Sequence, residues 1–166
     1  MPLTVRSATA DEFEQVGEIT ATAYVHDGHL PPDFSYVAEL RDAASRAREA
    51  ELLVVTEGTT LLGTVTWCPD GSAYKELAGP REGEFRMLAV APEARRRGAA
   101  RALVQACLDR SRAAGHRRIV LSTQPGMTQA HTLYESFGFT RAPDLDWEPA
   151  PGICLVAYAL DLAEDT

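Results

Sequence analysis

The sequence of 166 residues is poor in cysteine, has a single lysine and contains no long apolar run. Its three cysteines, Cys68, Cys107 and Cys154, are widely spaced and form no CxxC pair. This pattern favours reduced thiols over disulfides or zinc, and therefore a cytoplasmic protein. No stretch approaches the roughly 20 apolar residues of a membrane span, and the acidic residues 1–20 do not resemble a signal peptide. We therefore predict no membrane partner.

Two nucleotide-binding motifs are also missing. The chain has no Gly-Lys-Ser/Thr and no GxGxxG after a strand, which excludes the common nucleotide-binding loops. Its nearest approach to a metal motif is the pair His26 and His29, in a loop with glycine and proline and no further ligand nearby. The sequence therefore predicts no metal site.

The net charge of −8 is distributed unevenly. Residues 81–118 contain ten arginines and four acids, whereas the rest of the chain has six basic and twenty acidic residues. A basic island in an acidic body suggests a small anionic ligand at the island. It argues against nucleic acid, which requires a broad basic face.

The length fits one domain over residues 1–166. Alternating strand and helix patterns predict an α/β (α+β) fold, with one helix from Asp33 to about Glu49 and a loop over residues 143–152. Strand alternation predicts that one face of the strand at 84–90 carries Glu84, Arg86, Leu88 and Val90.

The region that organises the chain is residues 87–103, where an apolar strand enters a turn that opens onto a helix. The first N–H groups of a helix lack internal partners and favour an anion. The small residues Gly98, Ala99 and Ala100 would let a phosphate approach the backbone. Positive charge surrounds that point, contributed by Arg95, Arg96, Arg97 and Arg101. We expect a phosphate-bearing ligand here; the alternative is an ordinary turn with a solvated charge run.

Two motifs resemble those of the GCN5-related N-acetyltransferase (GNAT) family. Val-Ala-Pro at 90–92 precedes Arg-Arg-Arg-Gly-Ala-Ala at 95–100, which matches the family's pyrophosphate loop. The second family motif, Ala-x-x-Leu-Tyr-Glu-x-x-Gly-Phe, is present at 130–139. The resemblance implies a mixed, mostly antiparallel sheet of about seven strands flanked by about four helices. It also implies two splayed central strands that hold CoA.

The resemblance implies acetyl-CoA as the acyl donor. Its pyrophosphate would bind residues 95–101, and its pantetheine arm would contact Leu88, Ala89, Val90, Ala130 and Tyr134. The family often has an asparagine three residues before the alanine of the second motif. This chain has Met127 there, which cannot make the same polar contact.

Two residues are candidate catalysts by the same resemblance. Tyr134 would be the general acid that protonates the departing thiolate, and its alternative is a core tyrosine. Glu84 would be the general base for an amine acceptor, and its alternative is an ion pair with Arg86 or Arg81. A carboxylate of ordinary pKa is a poor base unless burial raises that pKa or water relays the proton.

The acceptor is the least readable part of the sequence. Ser122, Thr123 and Trp147 are candidate substrate-binding residues, and acids near Trp147 suggest a cationic amine at an acidic rim, although solubility also explains them. Small amines, amino acids, aminoglycosides and protein amines all remain open. Homodimers are common in the family, but the oligomeric state is open too. The alternative to an enzyme is a non-catalytic acyl-CoA sensor or regulatory module.

Overall fold

The computed structural model of the protein describes residues 2–26, 30–31, 35–95 and 97–162. Its α-helices are α1 (Phe13–His26), α2 (Ser35–Arg41), α3 (Ala43–Glu49), α4 (Ala99–Ala113) and α5 (Thr128–Phe137). Its strands are β1 (Leu3–Ser7), β2 (Glu51–Glu57), β3 (Thr60–Cys68), β4 (Glu82–Val90), β5 (Arg118–Thr123), β6 (Thr140–Arg141), β7 (Trp147–Ala150) and β8 (Ile153–Asp161). None of these helices combines the length and apolar character that a membrane span needs.

The strands form one mixed sheet in the order β1-β2-β3-β4-β5-β8-β6, with β7 paired to β8. Neighbouring strands are antiparallel except for β4 and β5, which run in parallel. The α4 helix provides the crossover that a parallel pair requires. The predicted fold class, a mixed and mostly antiparallel sheet flanked by helices, is confirmed.

The numbers of strands and helices differ from the prediction within the described residues. The segment at 147–150, predicted as loop, is strand β7 because it pairs with β8 through Trp147 and Leu155. The single helix predicted up to Glu49 is divided at Asp42, whose carboxylate accepts the N–H of Ser45 at 3.1 Å and caps α3. Its predicted start at Asp33 lies outside the described residues.

Apolar side chains cover both faces of the sheet. On one face, α4 and α5 pack over a cluster that includes Phe85, Leu103 and Tyr134. On the other, α1 and α2 enclose a second cluster that includes Tyr36 and Met87. The two faces of β4 are therefore covered by different helices.

A bulge interrupts β4 at its centre. Met87 has a φ of 59°, in the left-handed region, and together with Leu88 it lies opposite the single β3 residue Val65. An extra residue in one strand reverses the alternation of the side chains that follow it. The prediction that Leu88 shares a face with Arg86 is therefore wrong, since Leu88 packs in the cluster of Phe85.

Candidate active site

The turn that leads into α4 has backbone N–H groups that find no acceptor among the described residues. Gly98 has a φ of 81°, a conformation in which any side chain is strained. The N–H of Ala102 donates to the carbonyl of Gly98 at 3.0 Å, so the N–H groups of residues 99–101 precede the first bond of the helix. Of the arginines predicted around this turn, Arg95 has an interaction partner, and Arg96 lies outside the described residues.

Two further arginines of this region contact neighbouring elements. Arg97 lies 3.3 Å from the carboxylate of Glu57 on β2. Arg101 donates to the hydroxyl of Ser136 at 2.9 Å and lies 4.8 Å from the ring centre of Phe137 on α5. These contacts join the turn to the sheet and to α5. Because these arginines already have partners, the backbone N–H groups of the turn are the groups best placed to bind an anion.

The parallel strands β4 and β5 separate next to this turn. Their pairing ends at Phe85 and Leu121, whereas β4 continues to Val90 paired with β3. Residues 86–90 of β4 therefore have no strand partner on the β5 side within the described sheet. Unpaired backbone groups at such an edge require another partner. Three of the predicted cofactor residues lie on it, namely Leu88, Ala89 and Val90.

Tyr134 lies on α5 beside the separated strands. Its ring is 6.1 Å from that of Phe85 and 6.0 Å from those of Phe139 and Tyr158. Only 3% of the residue is exposed, and its hydroxyl has no hydrogen-bond partner among the described residues. Burial raises the pKa of Tyr134 well above its usual value, so the phenol stays protonated at neutral pH. Ala130, one turn earlier, packs against both apolar clusters.

Glu84 is fully buried, and one of its carboxylate oxygens holds the loop that follows β3. That oxygen accepts the N–H groups of Glu76, Leu77 and Ala78 at 2.9, 2.8 and 3.1 Å. Its other oxygen is buried without a partner in the described part of the chain. Burial raises the pKa of Glu84 although the three amides oppose this shift. No local sequence pattern indicates this contact, because it joins a strand to a loop that folds back onto it.

The predicted alternative for Glu84, an ion pair with Arg86, is absent from the described residues. Arg86 is instead surrounded by aromatic side chains. It donates to the hydroxyl of Tyr36 at 3.1 Å. Its guanidinium carbon lies 5.0 Å from the ring centre of Trp147 and 5.8 Å from that of Tyr74. Sequence reasoning missed this site, because its aromatic residues lie far apart in the chain.

The three residues predicted to bind substrate lie near the point where β4 and β5 separate. Ser122 and Thr123 end β5, just beyond its last pairing with β4, and both are buried. The Ser122 hydroxyl has no partner in the described part of the chain. Trp147 was expected to stack on a cationic acceptor, whereas in the structure it lies against the cation of Arg86.

Two of the acids predicted to form an acidic rim make internal contacts. Both carboxylate oxygens of Asp146 accept from Arg141 at 2.9 Å, a bond that lowers the pKa of Asp146. The carboxylate of Glu148 accepts the N–H of Gly152 at 2.8 Å. Both acids thus stabilise the region of β7, which weakens the case for a cationic acceptor. No group of three potential metal ligands occurs within the described ranges.

Comparisons with known proteins agree with this geometry. Residues 13–139 match the model of the acetyltransferase (GNAT) family. A mycothiol acetyltransferase from Geodermatophilus obscurus is 35% identical over 127 residues, which cover 72% of this chain and 40% of the relative. The chain thus spans less than half of the length of that curated relative.

Solved structures share the fold at low sequence identity. PaiA N-acetyltransferase from Thermoplasma acidophilum, in complex with coenzyme A, has a TM-score of 0.73 at 13% identity, covering 98% of this chain and 100% of its own. YncA from Salmonella typhimurium, with its cofactor acetyl-CoA, has a TM-score of 0.64 at 20% identity, covering 100% and 97%. With the family model matched over most of the sequence, the chain belongs to the GNAT family of acetyltransferases.

Proposed function

We propose that this protein transfers the acetyl group of acetyl-CoA to a primary amine by direct attack in a ternary complex. The observation that carries the proposal is the opening between β4 and β5 after Phe85, together with the first N–H groups of α4 and with Tyr134, whose ring lies 6.1 Å from that of Phe85. An elongated donor with an anionic end and a reactive thioester end fits such an arrangement. A single N-acetyltransferase domain over residues 1–166 is part of the same proposal.

The donor would bind mainly through the backbone. The N–H groups of residues 99–101 and the left-handed turn at Gly98 would hold the pyrophosphate. The β5-side edge of residues 88–90 would pair with the amides of the pantetheine arm, and Ala130 leaves room beside them. The acetyl-CoA and CoA bound by YncA and PaiA support this choice of donor.

The reaction requires one proton to leave the amine and one to reach the sulfur. The amine nitrogen attacks the thioester carbonyl, the C–S bond breaks, and the products are an amide and the CoA thiolate. Tyr134 would protonate this thiolate, and burial keeps its phenol in the protonated form that can donate. A thiolate whose thiol has a pKa of about 8.5 is a weaker base than a phenolate, so Tyr134 would give up its proton as negative charge develops on the sulfur and would regain a proton from solvent.

The amine must be neutral before it attacks. An alkylamine of pKa about 10.4 is about one part in two thousand neutral at pH 7, which adds roughly 4–5 kcal/mol to the barrier. Glu84 would accept this proton through its unpartnered oxygen, directly or through water. Its raised pKa makes it a better base than an exposed glutamate.

The test is a screen for release of free CoA thiol from acetyl-CoA with amines of several classes. Release that depends on the amine supports the transferase. If acetyl-CoA raises the melting temperature but no amine causes release, the protein is an acyl-CoA sensor or regulatory module instead. If acetyl-CoA gives no thermal shift, the donor site itself is wrong.

A further inference from the structure

Arg86 is a buried cation that forms no direct ion pair among the described residues. Only 3% of the residue is exposed, and its one hydrogen bond among the described residues goes to the neutral hydroxyl of Tyr36. A guanidinium carries five N–H donors and stays charged in proteins. Burial of such a charge is costly unless an anion and hydrogen bonds compensate for it. The described residues therefore leave most of this group's binding capacity unused.

The acids nearest in sequence do not fill this role. Glu84 shares a face with Arg86 and its charge helps to raise the pKa of that arginine, but it makes no direct ion pair with Arg86, and one of its oxygens holds the loop at 76–78. Asp146, next to Trp147, is bound by Arg141. The aromatic rings of Trp147 and Tyr74 flank the guanidinium without neutralising it. No acid of the described residues contacts Arg86 directly, so its guanidinium can take an anion from outside them.

Other unused polar groups lie on the same side of the sheet. Arg86 and Ser122 each follow the last paired position of their strands, Phe85 and Leu121, and alternation turns both away from those two apolar residues. The hydroxyl of Ser122 and the indole N–H of Trp147 are buried with no hydrogen-bond partner in the described ranges. Three groups able to donate hydrogen bonds thus border the same part of the opening.

This position suits an acceptor. Tyr134, the proposed acid for the thiolate, contacts Phe85 on the face of the sheet that packs on α4. Arg86 belongs to the opposite face, beneath α2. An amine that reaches the thioester from that opposite face must pass Arg86. A part of the acceptor that is bound by Arg86 would therefore lie close to the nitrogen that reacts.

We infer that the acceptor carries a carboxylate close to its amine and that Arg86 binds this carboxylate, with the hydroxyl of Ser122 and the indole of Trp147 beside it. The inference rests on the proposed function and narrows its acceptor to amino acids and similar small molecules. A planar guanidinium matches a carboxylate through two parallel hydrogen bonds. An acceptor with a carboxylate replaces the cationic acceptor and acidic rim predicted from the sequence.

The experiment compares L-amino acids with their own carboxamides as acceptors, measured as CoA thiol release by the wild type, Arg86→Gln and Arg86→Lys. We expect Arg86→Gln to lower kcat/KM roughly 10- to 100-fold for the amino acids, the usual range for loss of a charged hydrogen bond. For the carboxamides it should change kcat/KM less than about two-fold. The ratio of variant to wild type for each acceptor cancels differences in amine pKa.

Arg86→Lys should recover part of the loss for amino acids, because it restores the charge without the planar fork. The matched control is Arg112→Gln, an exposed arginine on α4, which should behave as the wild type. Acetyl-CoA should stabilise all four proteins equally in a thermal-shift assay. Equal losses for amino acids and carboxamides in Arg86→Gln would overturn the inference and leave Arg86 a purely structural residue.

A second measurement needs no variant. With CoA bound, N-acetylated amino acids should inhibit or stabilise the wild type more strongly than the matching N-acetylated carboxamides, because only the former carry the carboxylate. Preference for the carboxamides would refute the carboxylate site. In the thiol-release assay, a preference for phosphoethanolamine over every amino acid would refute the carboxylate and show that the anion is a phosphate. If no amine releases thiol, the proposed function fails, while this binding comparison still decides the role of Arg86.

Discussion

The turn at residues 97–101 and the aromatic site around Arg86 both contain arginine, but they use it in different ways. At the turn, Arg97 contacts Glu57 and Arg101 contacts α5, so the groups that can bind a ligand there are backbone N–H groups. At the other site, the guanidinium of Arg86 itself can bind a ligand, and side chains from α2, the loop after β3 and β7 hold it in place.

We call the first region, with the open edge of β4 and Tyr134, the donor half of the site. The second region, comprising Arg86, Tyr36, Tyr74, Ser122 and Trp147, is the acceptor half. The donor half depends on backbone conformation set by a short local motif. The acceptor half depends on side chains brought together by tertiary structure, so it can vary without disturbing the donor half. Substitutions in one half should therefore leave binding at the other intact.

The largest effect should come from Gly98→Glu in the donor half. The new side chain is strained at a φ of 81° and places a negative charge where the pyrophosphate would bind. We expect acetyl-CoA affinity to fall by at least about 100-fold, with loss of its thermal shift. Gly115→Glu is the matched control, since Gly115 is also left-handed, at 75°, but lies after α4. An unchanged shift in Gly98→Glu would move the donor site elsewhere.

Tyr134→Phe should separate catalysis from binding within the donor half. Removal of the hydroxyl takes away the proposed proton donor but keeps the packing of the ring. We expect kcat to fall about 100-fold, the lower range for general acid catalysis, while acetyl-CoA affinity stays unchanged. Tyr158→Phe, whose ring lies 6.0 Å away, is the control and should retain full turnover. Unchanged turnover in Tyr134→Phe would limit Tyr134 to packing.

Glu84→Gln should act where the two halves meet. The glutamine oxygen can still accept the three loop N–H groups, so the loop should stay in place. Because burial raises the pKa of Glu84, the wild-type rate should increase with pH as this carboxyl loses its proton, at a pH above that of an exposed glutamate. The variant should lose this step of the pH profile and keep only the rise that deprotonation of the amine itself causes. Its kcat/KM should fall about 100-fold, the lower range for general base catalysis.

The pH profile of kcat/KM, recorded with one amine, is the measurement for Glu84. The matched control is Glu82→Gln, because Glu82 also binds the same loop, through the N–H of Gly79 at 2.8 Å. Glu82→Gln should keep the step of the pH profile that belongs to the Glu84 carboxyl. If Glu84→Gln keeps it too, a water chain without Glu84 removes the proton from the amine.

The smallest effect should come from Asp146→Asn, next to Trp147 of the acceptor half. Arg141 lowers the pKa of Asp146, so this pair stabilises the fold above the usual pKa of an aspartate and ceases to do so as the pH falls. The pair is partly exposed, so we expect a loss below about 1 kcal/mol in chemical denaturation at pH 7, which diminishes at acid pH. The acceptor KM should rise slightly, with no change in the acetyl-CoA shift.

The sequence predicted features that depend on neighbours in the chain. The small residues at 98–100 predict a turn that opens onto a helix, and in the structure α4 begins at Ala99. The separation of β4 and β5 was expected from the family motifs and is present after Phe85. Whether these residues bind acetyl-CoA, and whether Tyr134 and Glu84 act in catalysis, stays a prediction for the experiments above.

Other predictions failed for local physical reasons. A bulge at Met87 reversed the alternation that would have placed Leu88 beside Arg86. Asp42 caps a new helix inside what periodicity indicated was a single one. The loop predicted over residues 143–152 contains strand β7, because β8 pairs with Trp147 and Ala150 at an edge where proline is tolerated.

By itself, the sequence determined the family, the mixed sheet and the turn at Gly98, because each follows from short patterns whose members are neighbours in the chain. Only the tertiary structure decided the surroundings of Arg86 and the loop contact of Glu84. Tyr36, Tyr74 and Trp147 reach Arg86 from three separate segments. No local pattern encodes such a meeting, since it depends on where the whole chain places each segment.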